Sequence, residues 1–347
     1  MTIDISGFEV TRAAAGGKRA RTGQTRLNHV LALFLIAFLF LAPVPLGANR
    51  PVFWAINAVL VGVGGVVYGI MMVRRRETFR IALSDIAIPA GLWLVLCLYA
   101  VTQFALPLTT VFQAPGTQVT SSALSIAPGS SLHSAVQFLT FGIFFFLVLQ
   151  VSANRERARF IATALFWVTV AHAVYGLLAL TQFGDTVLFL EKWAYFGSAT
   201  GTFVNRNSYA TFMAFGLVLG TALAAQALEK GLESRQLPIA NIMVLLVGLS
   251  FLLVALYSTQ SRMGLAAGLA GSLVVSVGFA IKVGARLPRL SIIMGVLGAG
   301  LTIAAAILFG SGTFERLGSV EQSFDVRAAL YLQVLEMIGS RPFFGFG

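Results

Sequence analysis

The chain has 347 residues, of which 57% are apolar and 11% carry a charge. A soluble domain is roughly 25% charged, and a core of this size has no room to hide so much apolar surface from water. The net charge of +11 does not signal a nucleic-acid partner, because the basic residues sit in short clusters between apolar runs and form no stripe on a polar face.

Crossing a bilayer takes about 20 mostly apolar residues folded as a helix, since unpaired backbone groups are not tolerated in hydrocarbon. A polar, basic stretch, residues 1–28, precedes the first apolar run. With Arg12, Lys18, Arg19, Arg21 and Arg26 it resembles the start of an uncleaved signal anchor. Nine runs then follow, at 29–48, 52–73, 86–105, 132–151, 160–183, 203–227, 239–258, 263–281 and 290–310. The expected fold is therefore all-α, a polytopic transmembrane bundle of about nine helices over 29–310.

The basic residues test that count independently. The N-terminal tail and the loops after the second, fourth, sixth and eighth runs carry 17 of the 24 Lys and Arg residues. The positive-inside bias then places the N-terminus in the cytoplasm and residues 311–347 outside, as the start of a large periplasmic loop. Gly65 with Gly69, and Gly264 with Gly268, stand four apart, a spacing that lets helices approach closely in lipid. The single cysteine, Cys97, lies inside an apolar run and reads as a packing residue. No cluster of Cys, His and carboxylate has metal-ligand spacing, so neither a metal nor another cofactor is expected.

Polar groups interrupt the apolar pattern mainly in the outer loops. Residues 106–131 are uncharged and rich in serine, and suit a re-entrant or surface strand. Residues 184–203 hold Asp185, Glu191, Lys192, Trp193 and Tyr195, whose aromatics suit an interfacial position. Asn205, Arg206 and Asn207 then open an apolar run, where three polar side chains are costly without partners. Arg262 opens the eighth run after Thr259-Gln260-Ser261. It either snorkels to the headgroups or belongs to a site with the other outer arginines. The tail after Leu317 reads as an amphipathic helix with Asp325 as N-cap, Leu330, Val334 and Ile338 at helical spacing, and Gly339 as its stop. Arg327 falls in the first turn of that helix, one turn before Tyr331, where the macrodipole disfavours a cation. It is either solvated or held there by an anion.

Four stretches carry a resemblance. They are Ala42-Pro43-Val44-Pro45-Leu46-Gly47-Ala48-Asn49-Arg50-Pro51, Thr200-Gly201-Thr202-Phe203-Val204-Asn205-Arg206-Asn207, Gln260-Ser261-Arg262-Met263-Gly264, and Asp325-Val326-Arg327 through Arg341-Pro342-Phe343-Phe344-Gly345-Phe346-Gly347. In order, spacing and side of the membrane, the chain resembles the bacterial O-antigen ligase and O-antigen polymerase superfamily. The resemblance implies a metal-independent glycosyltransferase of the bacterial inner membrane. It would take a glycan from an undecaprenyl-pyrophosphate donor and pass it to lipid A-core or to a lipid-linked glycan. By motif, Arg262 and Arg327 would engage the pyrophosphate. Asn205, Arg206, Asn207 and Tyr331 would bind substrate, with Arg206 either contacting the donor or supporting the loop.

Ligases of that superfamily carry a histidine later in the large periplasmic loop, followed by further spans. This chain is expected to be truncated before that region. Its own histidines, His29, His133 and His172, read as structural. Two other classes remain open. A multi-span transporter would need polar groups near mid-bilayer, whereas candidates such as His172 and Gln226 are scattered. A non-catalytic, truncated membrane protein is the other.

Overall fold

The computed structural model describes residues 17–107, 109–114, 117–284 and 317–346. Among these the chain is mainly helical: α1 (Gly17–Leu41), α2 (Pro51–Arg74), α3 (Ala87–Ala105), α4 (Pro128–Ser152), α5 (Arg155–Thr181), α6 (Arg206–Ser234), α7 (Ile239–Ser258), α8 (Arg262–Gly284) and α9 (Leu317–Ser340). Seven helical segments, from α2 through α8, are long and apolar enough to cross a membrane by length and composition. The 24 residues of α2 rise about 36 Å, against about 30 Å of hydrocarbon. The apolar part of α1, Arg26–Leu41, is shorter. The expected run at 290–310 lies outside the described residues.

Local chemistry sets the helix starts. Pro51 and Pro128 occupy the first turns of α2 and α4, where a missing N–H costs nothing. Asn154 caps α5 by accepting from the Arg157 N–H at 3.0 Å. Asn205 caps α6 by accepting from the Asn207 N–H at 2.7 Å, and Ser261 caps α8 by accepting from the Gly264 N–H at 3.3 Å. Each cap satisfies an N–H that would otherwise face hydrocarbon or headgroups unpaired.

Several sequence expectations need correction. The first apolar run does not continue as helix to residue 48: α1 stops at Leu41, and Pro43, Pro45 and a left-handed Gly47 turn the chain. The sixth run begins at Arg206, so Phe203 and Val204 belong to the preceding loop. Asp325 does not cap the tail helix, because α9 already begins at Leu317. The surface-strand expectation for 106–131 holds in part. Thr110–Ala114 pairs antiparallel with Thr117–Ser121, in register from Thr110 opposite Ser121 to Ala114 opposite Thr117.

Among the described residues, two large cores hold the bundle, with a smaller one of Ala225, Phe279 and Val283 between α6 and α8. One joins α5, α6, α7 and α8 around Phe166, Tyr209, Met213, Leu252 and Leu256. The other joins α1, α2, α4 and α5 around Leu35, Tyr68, Met72, Leu147 and Val151. Of the two glycine pairs, Gly264 and Gly268 do bring helices together, since a Cβ on either would meet Ala210 or Ala214 of α6. The other pair differs. Gly65 faces Ile143 of α4, but a Cβ on Gly69 would meet nothing within 4 Å.

The loops alternate between two ends. The basic end gathers the start of α1, the segment 75–86, the α4–α5 turn and the α6–α7 turn. Gln150 on α4 takes the N–H groups of Arg80 and Ile81 and donates to the Ile81 carbonyl there. Lys282 pairs with Glu229 at 2.6 Å, joining the C-terminal parts of α8 and α6. The other end, called the far end below, gathers the loops 42–50, 106–127, 182–205 and 259–261.

Candidate functional site at the far end

Within the 182–205 loop, Thr186–Val187 pairs antiparallel with Leu190–Glu191, and an ion pair closes this small turn at its base. Lys192, 8% exposed, forms a salt bridge with Asp185 and donates to the Ser198 carbonyl at 2.7 Å. The second Asp185 oxygen accepts from the Gly197 N–H at 2.7 Å. A buried ammonium requires such partners, and these three contacts close the loop on itself. Asp185, Leu188, Phe189 and Tyr195 all have positive φ. Backbone of that kind persists only where the surroundings impose it. Phe189, Trp193 and Phe196 are exposed, as expected of an interfacial belt.

The loop is fastened to its neighbours. The Ala199 N–H donates to the Ser258 carbonyl at 2.8 Å, and the Gln260 side chain donates to the Gly197 carbonyl at 3.0 Å. Gly201 has φ +55, and a Cβ there would sit 2.6 Å from the Tyr209 ring. Tyr209 is fully buried, and its hydroxyl donates to the His172 carbonyl at 2.9 Å. Gly47, at φ +64, lies against Phe203, whose ring a Cβ would meet at 2.5 Å. Three of the four stretches that carry the resemblance therefore meet at this end: 42–51, 200–207 and 260–264. The fourth reaches the same end against other elements. Its C-terminal part meets α3 and the segment between the hairpin and α4, where the Ile126 N–H donates to the Phe346 carbonyl at 2.9 Å and the Tyr99 hydroxyl to the Phe343 carbonyl at 3.0 Å.

The two arginines opening helices are differently held. Arg206 is the first residue of α6. Its Nη1 donates to Ser198 Oγ at 3.4 Å, its guanidinium lies 5.4 Å from the Tyr195 ring centroid, and its Nε is buried with no partner. Arg262 is the first residue of α8 and is exposed. Because Gly264 rests against Ala210, α6 and α8 approach closely near these starts. Two guanidinium groups and two helix N-termini thus share one end of a tightly packed helix pair. That arrangement favours an oxyanion.

The remaining candidates divide. Asn205 spends its side-chain oxygen on the α6 cap, which explains a polar residue there without a ligand. Asn207 is exposed beside it. Tyr331 lies on α9 and is 64% exposed, and the side chain of Arg327 lies outside the described residues. Composition could not reveal the Asp185–Lys192 clasp or the buried Thr200 and Thr202, whose hydroxyls have no partner. A loop of this kind has no period from which such pairings can be read.

His133 stands at this end, in the second turn of α4, with its Nε2 buried and unpartnered, and the other two histidines sit apart from this end or beneath it. His29 stacks on Phe160, and His172 hydrogen-bonds the Val168 carbonyl at 2.9 Å with its ring against Phe40 and Phe212. Among the described residues, no group of three or more His, Cys, Asp or Glu side chains is placed to hold a metal ion. Beneath Gly47 and Phe203 lies an apolar cavity of about 340 Å³, lined also by Phe38, Pro43, Trp54, Phe141 and Phe212. No family model, curated protein or solved structure shows a significant match to the chain.

Proposed function

We propose that the chain is a membrane glycosyltransferase of the O-antigen ligase or polymerase kind. It would act at the periplasmic face of the bacterial inner membrane, with its N-terminus in the cytoplasm. The observation that carries this reading is the meeting of 42–51, 200–207 and 260–264 at the far end, with Arg206 and Arg262 on adjoining helix starts. The donor is an undecaprenyl-pyrophosphate-linked glycan, and the acceptor is lipid A-core or another lipid-linked glycan. The apolar cavity beneath the loop suits the isoprenoid part of the donor, whose diphosphate would then stand near the helix starts.

In the reaction an acceptor hydroxyl oxygen bonds to the anomeric carbon as the bond from that carbon to the phosphate oxygen breaks. The electron pair leaves with the pyrophosphate, whose departing oxygen takes up the proton that the acceptor hydroxyl loses. Arg262, together with Arg327 delivered from α9, would stabilise that charge in place of a divalent metal. Arg206, already bound to Ser198 and Tyr195, orients the loop and offers its free Nε. Asn207 and Tyr331 would contact the saccharide.

A transport reading has less support. Both larger cavities are lined mainly by apolar side chains, and His172 is wedged between two phenylalanines. The test is glycan transfer in membranes supplied with a lipid-linked donor and acceptor. Arg262→Ala and Arg327→Ala should each abolish transfer while the chain still inserts. Full transfer in both variants would remove the proposed site.

A further inference from the structure

A larger cavity runs from mid-bundle toward the basic end, sharing Phe141 with the far-end cavity. It measures about 670 Å³ and runs between α2, α3 and α4. Its walls include Trp93, Phe138, Phe141 and Phe145, and the last three phenylalanines are 42–56% exposed, so it is a furrow on the bundle's outer surface. Gly62 and Gly69 line it too, and a Cβ on either would meet nothing within 4 Å. Gly62 and Gly69 open the furrow, whereas Gly65 and Gly142, which also line it, admit Ile143 and Trp93 closely. In a bilayer such a surface is covered by an acyl chain.

The furrow's basic end has a distinct chemistry. Tyr68 lines it, and its hydroxyl donates to Asn28 Oδ1 at 2.8 Å. Arg80, Arg157 and Glu77 all interact electrostatically with Tyr68. Arg157 is 8% exposed, and its Nη2 is buried without a partner, as are Asn28 Nδ2 and Glu77 Oε2. Charges placed only to set orientation would stand in water, whereas this guanidinium is buried, with its Nε on the Val151 carbonyl at 3.4 Å and its Nη2 unpaired. Two donors and one acceptor are therefore unpaired, with Arg80, Arg157 and Glu77 around Tyr68 and the exposed Glu156 of the first turn of α5 also acting on Arg157.

We infer that the α2–α3–α4 furrow seats a single anionic phospholipid of the inner leaflet, phosphatidylglycerol in chemistry. Its phosphodiester meets Arg157, Arg80 and Asn28, a head-group hydroxyl donates to Glu77, and an acyl chain lies over Gly62 and Gly69. One net negative charge on the head group matches the net positive charge around Tyr68. The head-group part of this seat lies at the opposite end from Arg206 and Arg262, so its test does not depend on glycan transfer.

Native mass spectrometry of the detergent-solubilised full chain tests it, with phosphatidylglycerol, phosphatidylethanolamine and phosphatidylcholine each added separately. Phosphatidylglycerol should be retained as one adduct per chain, in preference to the other two lipids. Arg80→Gln should weaken its retention about fivefold, the effect of one basic residue near an anionic surface, and leave phosphatidylcholine unchanged. Gly62→Leu and Gly69→Leu should remove the adduct while circular dichroism shows the helices intact. The Arg80→Gln arm leaves the furrow unaltered and still decides the matter if either leucine variant is unstable. Equal retention of the three lipids, a preference for phosphatidylethanolamine, or retention unchanged by both leucines would overturn the assignment.

Discussion

Lys192 and Asp185 lie seven residues apart, at either end of a short strand pair (Thr186–Val187 with Leu190–Glu191), and together they set the geometry of the far end. Removing one partner strands the other where water cannot fully compensate, as happens when a buried pair is broken. Lys192→Met should therefore lower stability by about 3 kcal/mol, read from the unfolding midpoint in detergent. Lys192→Met combined with Asp185→Asn should recover part of that loss, since no uncompensated charge then remains. A double variant no more stable than the single would show that the clasp does not act as a pair. Gly201 is constrained differently. Its left-handed backbone and its contact with Tyr209 both exclude a side chain, so Gly201→Ala should destabilise by about 2–4 kcal/mol from conformation and overpacking together. The sequence shows that these residues interrupt an apolar pattern. It does not show their partners, because loop contacts follow from the positions of helices distant in the chain.

Helix packing was legible where composition and spacing agree, and ambiguous where one spacing serves two purposes. Gly264 and Gly268 on α8 accept Ala210 and Ala214 of α6, whereas the same interval at Gly65 and Gly69 yields one packing contact and one opening. Only the neighbouring helix distinguishes the cases: α6 offers alanines at matching height, and α4 offers phenylalanines that lean outward. Gly268→Leu should consequently separate α6 from α8 and reduce both folded yield and any far-end activity, and size-exclusion profiles in detergent check the yield. Gln150 makes a comparable connection at the basic end, and nothing in an apolar run such as Phe144-Phe145-Phe146-Leu147 announces it. Gln150→Leu leaves two N–H groups and one carbonyl of the 80–81 segment without their partner, at about 1–3 kcal/mol for each group that stays buried. Trypsin should then cut at Arg80 much faster than in the unaltered chain. Equal cutting rates would mean that other contacts hold the segment.

At the scale of the whole molecule, the alternation of basic loops and apolar runs anticipated which loops would meet, because charge and hydropathy are set locally and need no knowledge of packing. The ends of the first and sixth runs were misplaced because Pro43, Gly47 and the Asn205 cap bend the chain within sequence that is still apolar. The path beyond α8 tests the arrangement further. Lys282 meets Glu229 at the basic end, while Phe343 and Phe346 bond to Tyr99 and Ile126 at the far end. The chain must pass from one end to the other between residues 285 and 342, and the apolar run at 290–310 is the expected place for that crossing. Single cysteines in a Cys97→Ala background locate it, since Cys97 is the chain's one cysteine and is buried. With a membrane-impermeant maleimide added to intact spheroplasts, Phe196→Cys should label at once and Arg76→Cys only after permeabilisation. Ser319→Cys should behave like Phe196→Cys if the crossing precedes α9. Protection of Ser319→Cys would move the crossing into α9 itself, and equal labelling of Phe196→Cys and Arg76→Cys would end the two-sided arrangement altogether.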